Sequence, residues 1–223
     1  MKAIILSGGR GKRLKPITDY VPKPLIPINN VPIIEWQIRY LKNFGIKDVI
    51  ISTGYKYSHI ENFLEIKKNL GISINYSVEK TPLGTGGAIK KASKLINDKS
   101  FFVLNGDTIT NIDLGRLKTK MNSIAAIELR TRFGVLITEK DKVLGFSEKK
   151  EIKNLWMNAG IYHLSKNIIK DLPSKGNIEN VTFPKYAKSG KLNIIKFKNV
   201  KWYSIDTFKD MEECSKEVSK IIK

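Results

Sequence analysis

Short apolar runs that stop on glycine or a polar turn recur through the first half of the sequence. Ala3 to Leu6 ends at Ser7-Gly8-Gly9, Asp48 to Ser52 at Gly54, and Phe101 to Leu104 at Asn105-Gly106-Asp107, while Ile72 to Val78 alternates apolar and polar positions. Runs of this length bounded by turn residues predict strands. Between them the spacing becomes helical. Ile33, Ile34, Gln37, Ile38 and Leu41 share one helix face that Gly45 would end; Tyr57 to Leu70 predicts a second helix, and Ala88, Ile89, Ala92 and Leu95 a third. Alternating strands and helices argue for an α/β fold, a doubly wound and mostly parallel sheet covered on both faces. In such sheets the ligand crevice lies outside the carboxyl ends of the strands. The glycine-rich loop after Leu6, the second glycine cluster at Pro82 to Ala88, and Asp107 all fall at such ends.

The second half is richer in strands. Ala125 to Leu129, Gly134 to Thr138, Lys142 to Phe146 and Trp156 to Leu164 read as strands, the middle two as a hairpin around Glu139-Lys140-Asp141. Short helices are expected at Asn167 to Leu172 and Asn180 to Ser189, strands at Leu192 to Phe197 and Trp202 to Ile205, and one final helix from Thr207 to Ile222. No linker or repeat divides the chain. The expectation is a single domain over 1–223, with one half at about 1–110 and the other at about 111–223.

Composition narrows the partners. Forty Lys and Arg against 21 Asp and Glu give a net charge of +19. The excess is lysine spread along the chain, with few aromatics interleaved, which is the pattern of a solvated surface rather than a nucleic-acid face. No apolar run nears the roughly 20 residues of a membrane span, and Met1-Lys2 leads straight into a strand instead of a signal peptide. Neither nucleic acid nor membrane is expected as partner, a cytoplasmic protein is the default, and a homodimeric state stays open. The one cysteine, Cys214, excludes an internal disulfide and is expected in the core. His59 and His163 lack ligand spacing and read as structural.

The first loop is where chemistry concentrates. Ser7-Gly8-Gly9-Arg10-Gly11-Lys12-Arg13 offers backbone N–H groups and cations to an anion. It is not a P-loop: Gly11-Lys12 is followed by Arg13, and Leu6 stands where the early glycine belongs. It is not the dinucleotide fingerprint, because Leu14 replaces the third glycine and no acid ends the second strand.

GGRGKRLKPIT followed by VPKPLIPI resembles the signature of the sugar-nucleotide pyrophosphorylases, the nucleoside-triphosphate:sugar-1-phosphate nucleotidyltransferases. The resemblance continues through LGTGGA (83–88), NGD (105–107), FSEKK (146–150), NAGIY (158–162) and WYSIDTFKD (202–210). It implies the Rossmann-like fold of nucleotide-diphospho-sugar transferases, with about 1–110 as the nucleotide-binding half and about 111–223 as the sugar-binding half, and without a C-terminal β-helix domain. It further implies Mg²⁺-assisted in-line attack of a sugar 1-phosphate on a nucleoside triphosphate. By the same resemblance Arg13 would clamp the β- and γ-phosphates, and Lys23 would sit near the α-phosphate. Leu6, Gly8, Gly9, Gly11 and Gly84 would line the nucleotide. Gly134, Glu148, Lys149, Asn158 and Glu179 would hold the sugar phosphate, and Asp107 and Asp206 the metal. Most of the family carries an acid where Ser204 stands here; a subgroup shifts it by two, as Asp206 does. An N-cap role is the competing reading of Asp206. Tyr162 and Trp156 are expected in the core. PLGTGGA and NAGIY look most like the mannose- and heptose-directed guanylyl members, with UTP, dTTP or CTP enzymes as alternatives and a catalytically idle nucleotide-binding homologue as the rival of another class.

Overall fold

The computed structural model describes residues 1–67, 70–131, 133–147 and 151–222. In chain order its elements are β1 (Lys2–Ser7), α1 (Ile17–Tyr20), β2 (Pro27–Ile28), β3 (Val31–Pro32), α2 (Ile33–Asn43), β4 (Asp48–Thr53), α3 (Tyr57–Ile66), β5 (Ser73–Val78), α4 (Gly84–Ala92), β6 (Ser100–Asn105) and β7 (Thr108–Thr110). There follow α5 (Leu114–Leu117), β8 (Ser123–Arg130), β9 (Val135–Glu139), β10 (Lys142–Ser147), β11 (Glu151–Ser165), α6 (Thr182–Lys188), β12 (Asn193–Phe197), β13 (Trp202–Ser204), α7 (Phe208–Ser215) and α8 (Val218–Ile221).

A seven-stranded sheet runs in the order β12-β8-β11-β6-β1-β4-β5. β1 pairs in parallel with β4 and β6, and β4 with β5. β11 is antiparallel to both β6 and β8, so the two halves of the chain share one sheet. From β1 the chain moves outward through β4 and β5, then returns to place β6 on the other side of β1. That reversal is the topological switch point where an open α/β sheet leaves its crevice.

Period-two alternation sorts the strands onto two cores. Ala3, Ile5, Val49, Ile51, Phe102 and Leu104 face α2, α3, α7 and α8. Ile4, Ile50, Phe101 and Val103 face α4 and α6. These apolar runs are continuous because both faces are covered, and each fully buried side chain is worth about 1.5–3 kcal/mol. Cys214 is buried in the first core, as expected. No helix among the described residues is long and apolar enough to cross a membrane.

The strand expected at Trp202 is present as β13 and pairs antiparallel with β7, a strand too short to show periodicity. Three expectations need correction. The final helix is broken into α7 and α8 around Lys216 and Glu217. The second glycine cluster is not all loop, because α4 starts at Gly84 itself. Trp156 is half-exposed rather than core, with Lys196 Nζ 4.8 Å above its ring.

Candidate active site

The loop after β1 and the turn after β6 leave the sheet side by side, Leu6 in register with Asn105, and Gly106 donates its N–H to Leu6 O at 2.9 Å. α2 pins the turn from behind: Gln37 Nε2 donates to Asn105 O (2.7 Å) and Thr108 O (2.9 Å). Asp107 is thereby held at the mouth of the switch point.

Asp206 arrives there from the far end of the sequence through β7 and β13. Ser204 pairs with Thr108, and Ile205 donates its N–H to Asp107 O at 2.9 Å. The N-cap reading of Asp206 is overturned. Thr207 caps α7 in a capping box with Asp210, whose Oδ2 accepts from the N–H groups of Asp206 (3.0 Å) and Thr207 (2.8 Å). The Asp206 carboxylate is left to face the cleft.

There it meets the cations of the first loops. Lys23, in a 3-10 turn between Pro22 and Pro24, places Nζ 2.7 Å from Asp107 Oδ2 and 2.8 Å from Asp206 Oδ1. Arg13 Nη2 reaches the same Asp206 oxygen at 2.8 Å while remaining 72% exposed. Ser204 Oγ donates to Asp206 Oδ2 at 3.1 Å. Burial opposes ionisation of Asp206, but Lys23, Arg13 and the Ser204 hydroxyl outweigh it and hold the carboxyl below its ordinary range. Leu6, Gly9, Gly11, Arg13, Lys23, Asp107 and Asp206 all line one cleft of about 240 Å³.

A second chamber, about 330 Å³, shares Leu6, Gly9, Gly106 and Asp107 with the first and adds Gly8, Glu79, Gly84, Thr85 and Asn177. Gly84 has φ +73°, and a Cβ there would lie 2.7 Å from the Gly176 carbonyl. The second glycine cluster is thus docked on a loop of the second half, with Gly86 and Gly87 donating to Gly176 O. Glu79 follows β5. Its Oε2 accepts from Leu83 N at 2.9 Å, Ser52 Oγ stands 3.4 Å from Oε1, and a Cβ on Gly8 would lie 2.7 Å from that oxygen.

Asn158 and Glu179 are brought together beside this chamber. Asn158 Nδ2 donates to Tyr162 OH (2.9 Å), Tyr162 OH to Glu179 Oε1 (3.1 Å), and Thr85 Oγ1 to Glu179 Oε2 (2.5 Å). Tyr162 is buried as expected, yet its hydroxyl belongs to this network; burial and Glu179 push its pKa far up, so it stays a neutral donor. Gly134 is exposed ahead of β9 and lines neither chamber. Glu148 and Lys149 lie outside the described residues. Sequence reasoning missed Glu79, Asn177 and Asp210. Glu79 carried a usable signal, since it ends a parallel strand on the crevice side; Asn177 and Asp210 carried none specific enough.

The arrangement can hold a polyphosphate. Glycine backbone and three cations, Lys12, Arg13 and Lys23, line the first cleft, and two carboxylates share one cation within it. The sequence profile of the nucleotidyl transferase family matches residues 2–221. The chain belongs to that family. This nucleotidyltransferase is 44% identical over 195 residues to the D-glycero-alpha-D-manno-heptose 1-phosphate guanylyltransferase of Campylobacter jejuni, covering 84% of this chain and 87% of that one. It is 40% identical over 178 residues to the enzyme of the same name from Aneurinibacillus thermoaerophilus, covering 76% of this chain and 77% of that one. Among solved structures it is similar to HddC from Yersinia pseudotuberculosis, at 31% identity and TM-score 0.77, covering 97% of this chain and 98% of that one. A second structure of HddC, complexed with GMP-PN, superposes with TM-score 0.75.

Proposed function

We propose that this nucleotidyltransferase transfers a guanylyl group from GTP to a manno-configured sugar 1-phosphate, a heptose or mannose 1-phosphate, and releases pyrophosphate. The observation that carries the reaction is the convergence of Asp107 and Asp206 on Lys23 beside the glycine-lined cleft. Phosphoryl chemistry of this kind needs positioning and charge stabilisation rather than a protein nucleophile. A sugar-phosphate oxygen attacks the α-phosphorus in line, and the bond to the β-phosphate oxygen breaks. Lys23 stabilises charge at the α-phosphate. Arg13, exposed enough to swing off Asp206, clamps the leaving pyrophosphate with a planar guanidinium suited to two phosphate oxygens.

Among the described residues no cluster of three or more His, Cys, Asp and Glu could hold a metal by itself. Two carboxylates close enough to share one ammonium nonetheless suit Mg²⁺, which takes one or two carboxylates and completes its shell with water and substrate phosphate. Asp107 and Asp206 would hold it, and when bound it neutralises phosphate charge.

Glu79 supports the choice of base. Guanine presents N1–H and N2–H side by side, two donors for one carboxylate. Uracil and thymine present one N–H between two carbonyls, which would repel it. The names of the relatives at 44% and 40% identity support the same base and a heptose acceptor. Asn158 and Glu179 would take sugar hydroxyls, with Tyr162 fixing both.

The test is pyrophosphate release with Mg²⁺ across GTP, UTP, dTTP and CTP and a panel of sugar 1-phosphates. Turnover is expected with GTP and manno-configured acceptors. Tight nucleotide binding without turnover across the panel would favour the catalytically idle homologue. Glu79→Gln should lower kcat/KM for GTP by roughly 10–100-fold, since a carboxamide offers one acceptor where the base needs two.

A further inference from the structure

Lys12 opens the 3-10 turn Lys12–Leu14, directly after Gly11, whose φ of +61° starts the turn. Such a turn has three residues per revolution, so its side chains leave about 120° apart. Leu14 is fully buried and fixes one direction, which turns Lys12 and Arg13 outward, both exposed. The turn is braced. Thr18 Oγ1 donates to Gly11 O at 3.1 Å, and Tyr55 OH donates to Thr18 O at 3.1 Å. A Cβ on Gly11 would lie 2.9 Å from Thr18 Cγ2 and 3.1 Å from Lys23 Cβ, so the loop sits close against both.

Of the three cations that line the first cleft, Lys12 differs in its partners. Lys23 spans Asp107 and Asp206, and Arg13 shares Asp206. Both carboxylates of the cleft are thereby taken, and Lys12 pairs with no carboxylate among the described residues. Its ammonium keeps its charge for an incoming anion, and no ion pair has to break to recruit it. Lys15, three residues on, is built differently: its Nζ stands 3.0 Å from Asp19 Oδ1, and it does not line the cleft.

The two chambers give a bound triphosphate its direction. They share Leu6, Gly9, Gly106 and Asp107, while Glu79 lines only the second and Lys12, Arg13 and Lys23 only the first. The role of Lys12 rests on the orientation proposed above, with the base at Glu79 and the α-phosphate at Lys23. The β- and γ-phosphates then run into the part of the first cleft away from the shared wall, where Lys12 and Arg13 stand. In the transfer an acceptor oxygen bonds to the α-phosphorus while the bond to the bridging oxygen breaks, and the electron pair of that bond leaves on the bridging oxygen. Pyrophosphate therefore gains negative charge as it departs. Arg13 divides its charge between the phosphates and Asp206; Lys12 has no carboxylate to divide with.

We propose that Lys12 binds the terminal phosphate of the triphosphate and stays with the leaving pyrophosphate. The test is calorimetric titration of the full chain with GTP, GDP and GMP, with Mg²⁺ and without acceptor, for the wild type, Lys12→Met, Lys12→Arg and Lys15→Met. Lys12→Met should weaken GTP about tenfold, the scale of one exposed charge-assisted hydrogen bond, weaken GDP less and leave GMP unchanged. Lys12→Arg should restore most of the GTP affinity. Lys15→Met removes the same charge from the same loop and should bind GTP as the wild type does. In turnover, Lys12→Met should raise KM for GTP and the inhibition constant of pyrophosphate by similar factors, with a smaller loss in kcat. Equal losses for GTP and GMP would overturn the proposal, because they report a damaged loop. So would unchanged GTP affinity, or an equal loss in Lys15→Met, which would reduce the effect to net charge. The titration needs no acceptor, so it decides the role of Lys12 even if the wild type binds GTP and proves idle, an outcome that would overturn only the transfer reading. A wild type that binds no GTP would overturn both.

Discussion

Lys23→Met tests the site through two effects of opposite sign. Nζ stands 2.7 Å from Asp107 Oδ2 and 2.8 Å from Asp206 Oδ1, and all three side chains are less than a third exposed. The two carboxylate oxygens are thus no more than about 5.5 Å apart, and unit charges at that spacing repel by about 3 kcal/mol at an effective dielectric near 20. In the substrate-free enzyme the ammonium relieves that repulsion. With methionine there, only an added cation can, so Mg²⁺ should bind the free enzyme more tightly. The ceiling is about 100-fold for 3 kcal/mol, and about tenfold is expected because Arg13 still neutralises part of Asp206. Catalysis should move the other way. Loss of one preorganised donor at the reacting phosphorus costs about 2.7–4 kcal/mol, or roughly 10²–10³ in kcat. Calorimetric titration of the nucleotide-free protein with Mg²⁺ gives the first quantity and pyrophosphate release the second. The thermal midpoint of the variant should also rise more with Mg²⁺ than that of the wild type. Metal binding unchanged or weakened in Lys23→Met would show that the ammonium and the metal do not compete for the two carboxylates. Unchanged kcat would remove Lys23 from the chemistry.

Asp206→Ala should raise the Mg²⁺ requirement and lower kcat by at least about 10²-fold, whereas Ser204→Ala, which removes one hydrogen bond to Asp206, should cost about tenfold or less; the reverse order in Mg²⁺-dependent assays would return the acid's role to position 204. Asp210→Ala should lose about 1–2 kcal/mol in urea unfolding, because Oδ2 closes the capping box and holds two N–H groups. It should also lower kcat through misplacement of Asp206, and normal kcat in the folded variant would limit it to stability. His163 is buried, with Nδ1 on Lys120 O at 2.9 Å and Nε2 without a partner. Burial, reinforced by Lys118 against the Lys120 carbonyl, lowers its pKa from 6.5. The folded state then binds fewer protons than the unfolded state, so this contribution is intact above about 6.5 and is lost as pH falls through and below that value. Thermal midpoints between pH 7 and 5 should fall less steeply in His163→Leu than in the wild type, and parallel slopes would refute it.

Much of the site could be read from the chain because it is built at strand ends. Apolar runs entering Ser7-Gly8-Gly9 and Asn105-Gly106-Asp107 mark both the strand and its open end. What stayed hidden depends on contacts between distant segments. β7 is three residues long and has no period to read, yet its pairing with β13 carries Asp206 to Asp107. The cap reading of Asp206 was removed one residue later, by Thr207 and its capping box. Gly84 lines the second chamber, but the need for glycine there also comes from the Gly176 backbone, which would meet any Cβ, a constraint set by a loop about ninety residues away. Glu79 has no motif around it, and its one readable signal is its place at the end of the parallel strand β5.

The β7–β13 ladder also sets when the cleft is completed during the chain's own synthesis. The first cleft draws almost entirely on residues up to Asp107, while Asp206 follows about a hundred residues later, which takes roughly 5–20 s at ribosomal speeds. Until β13 has been made and docks on β7, Lys23 and Asp107 have no second carboxylate beside them.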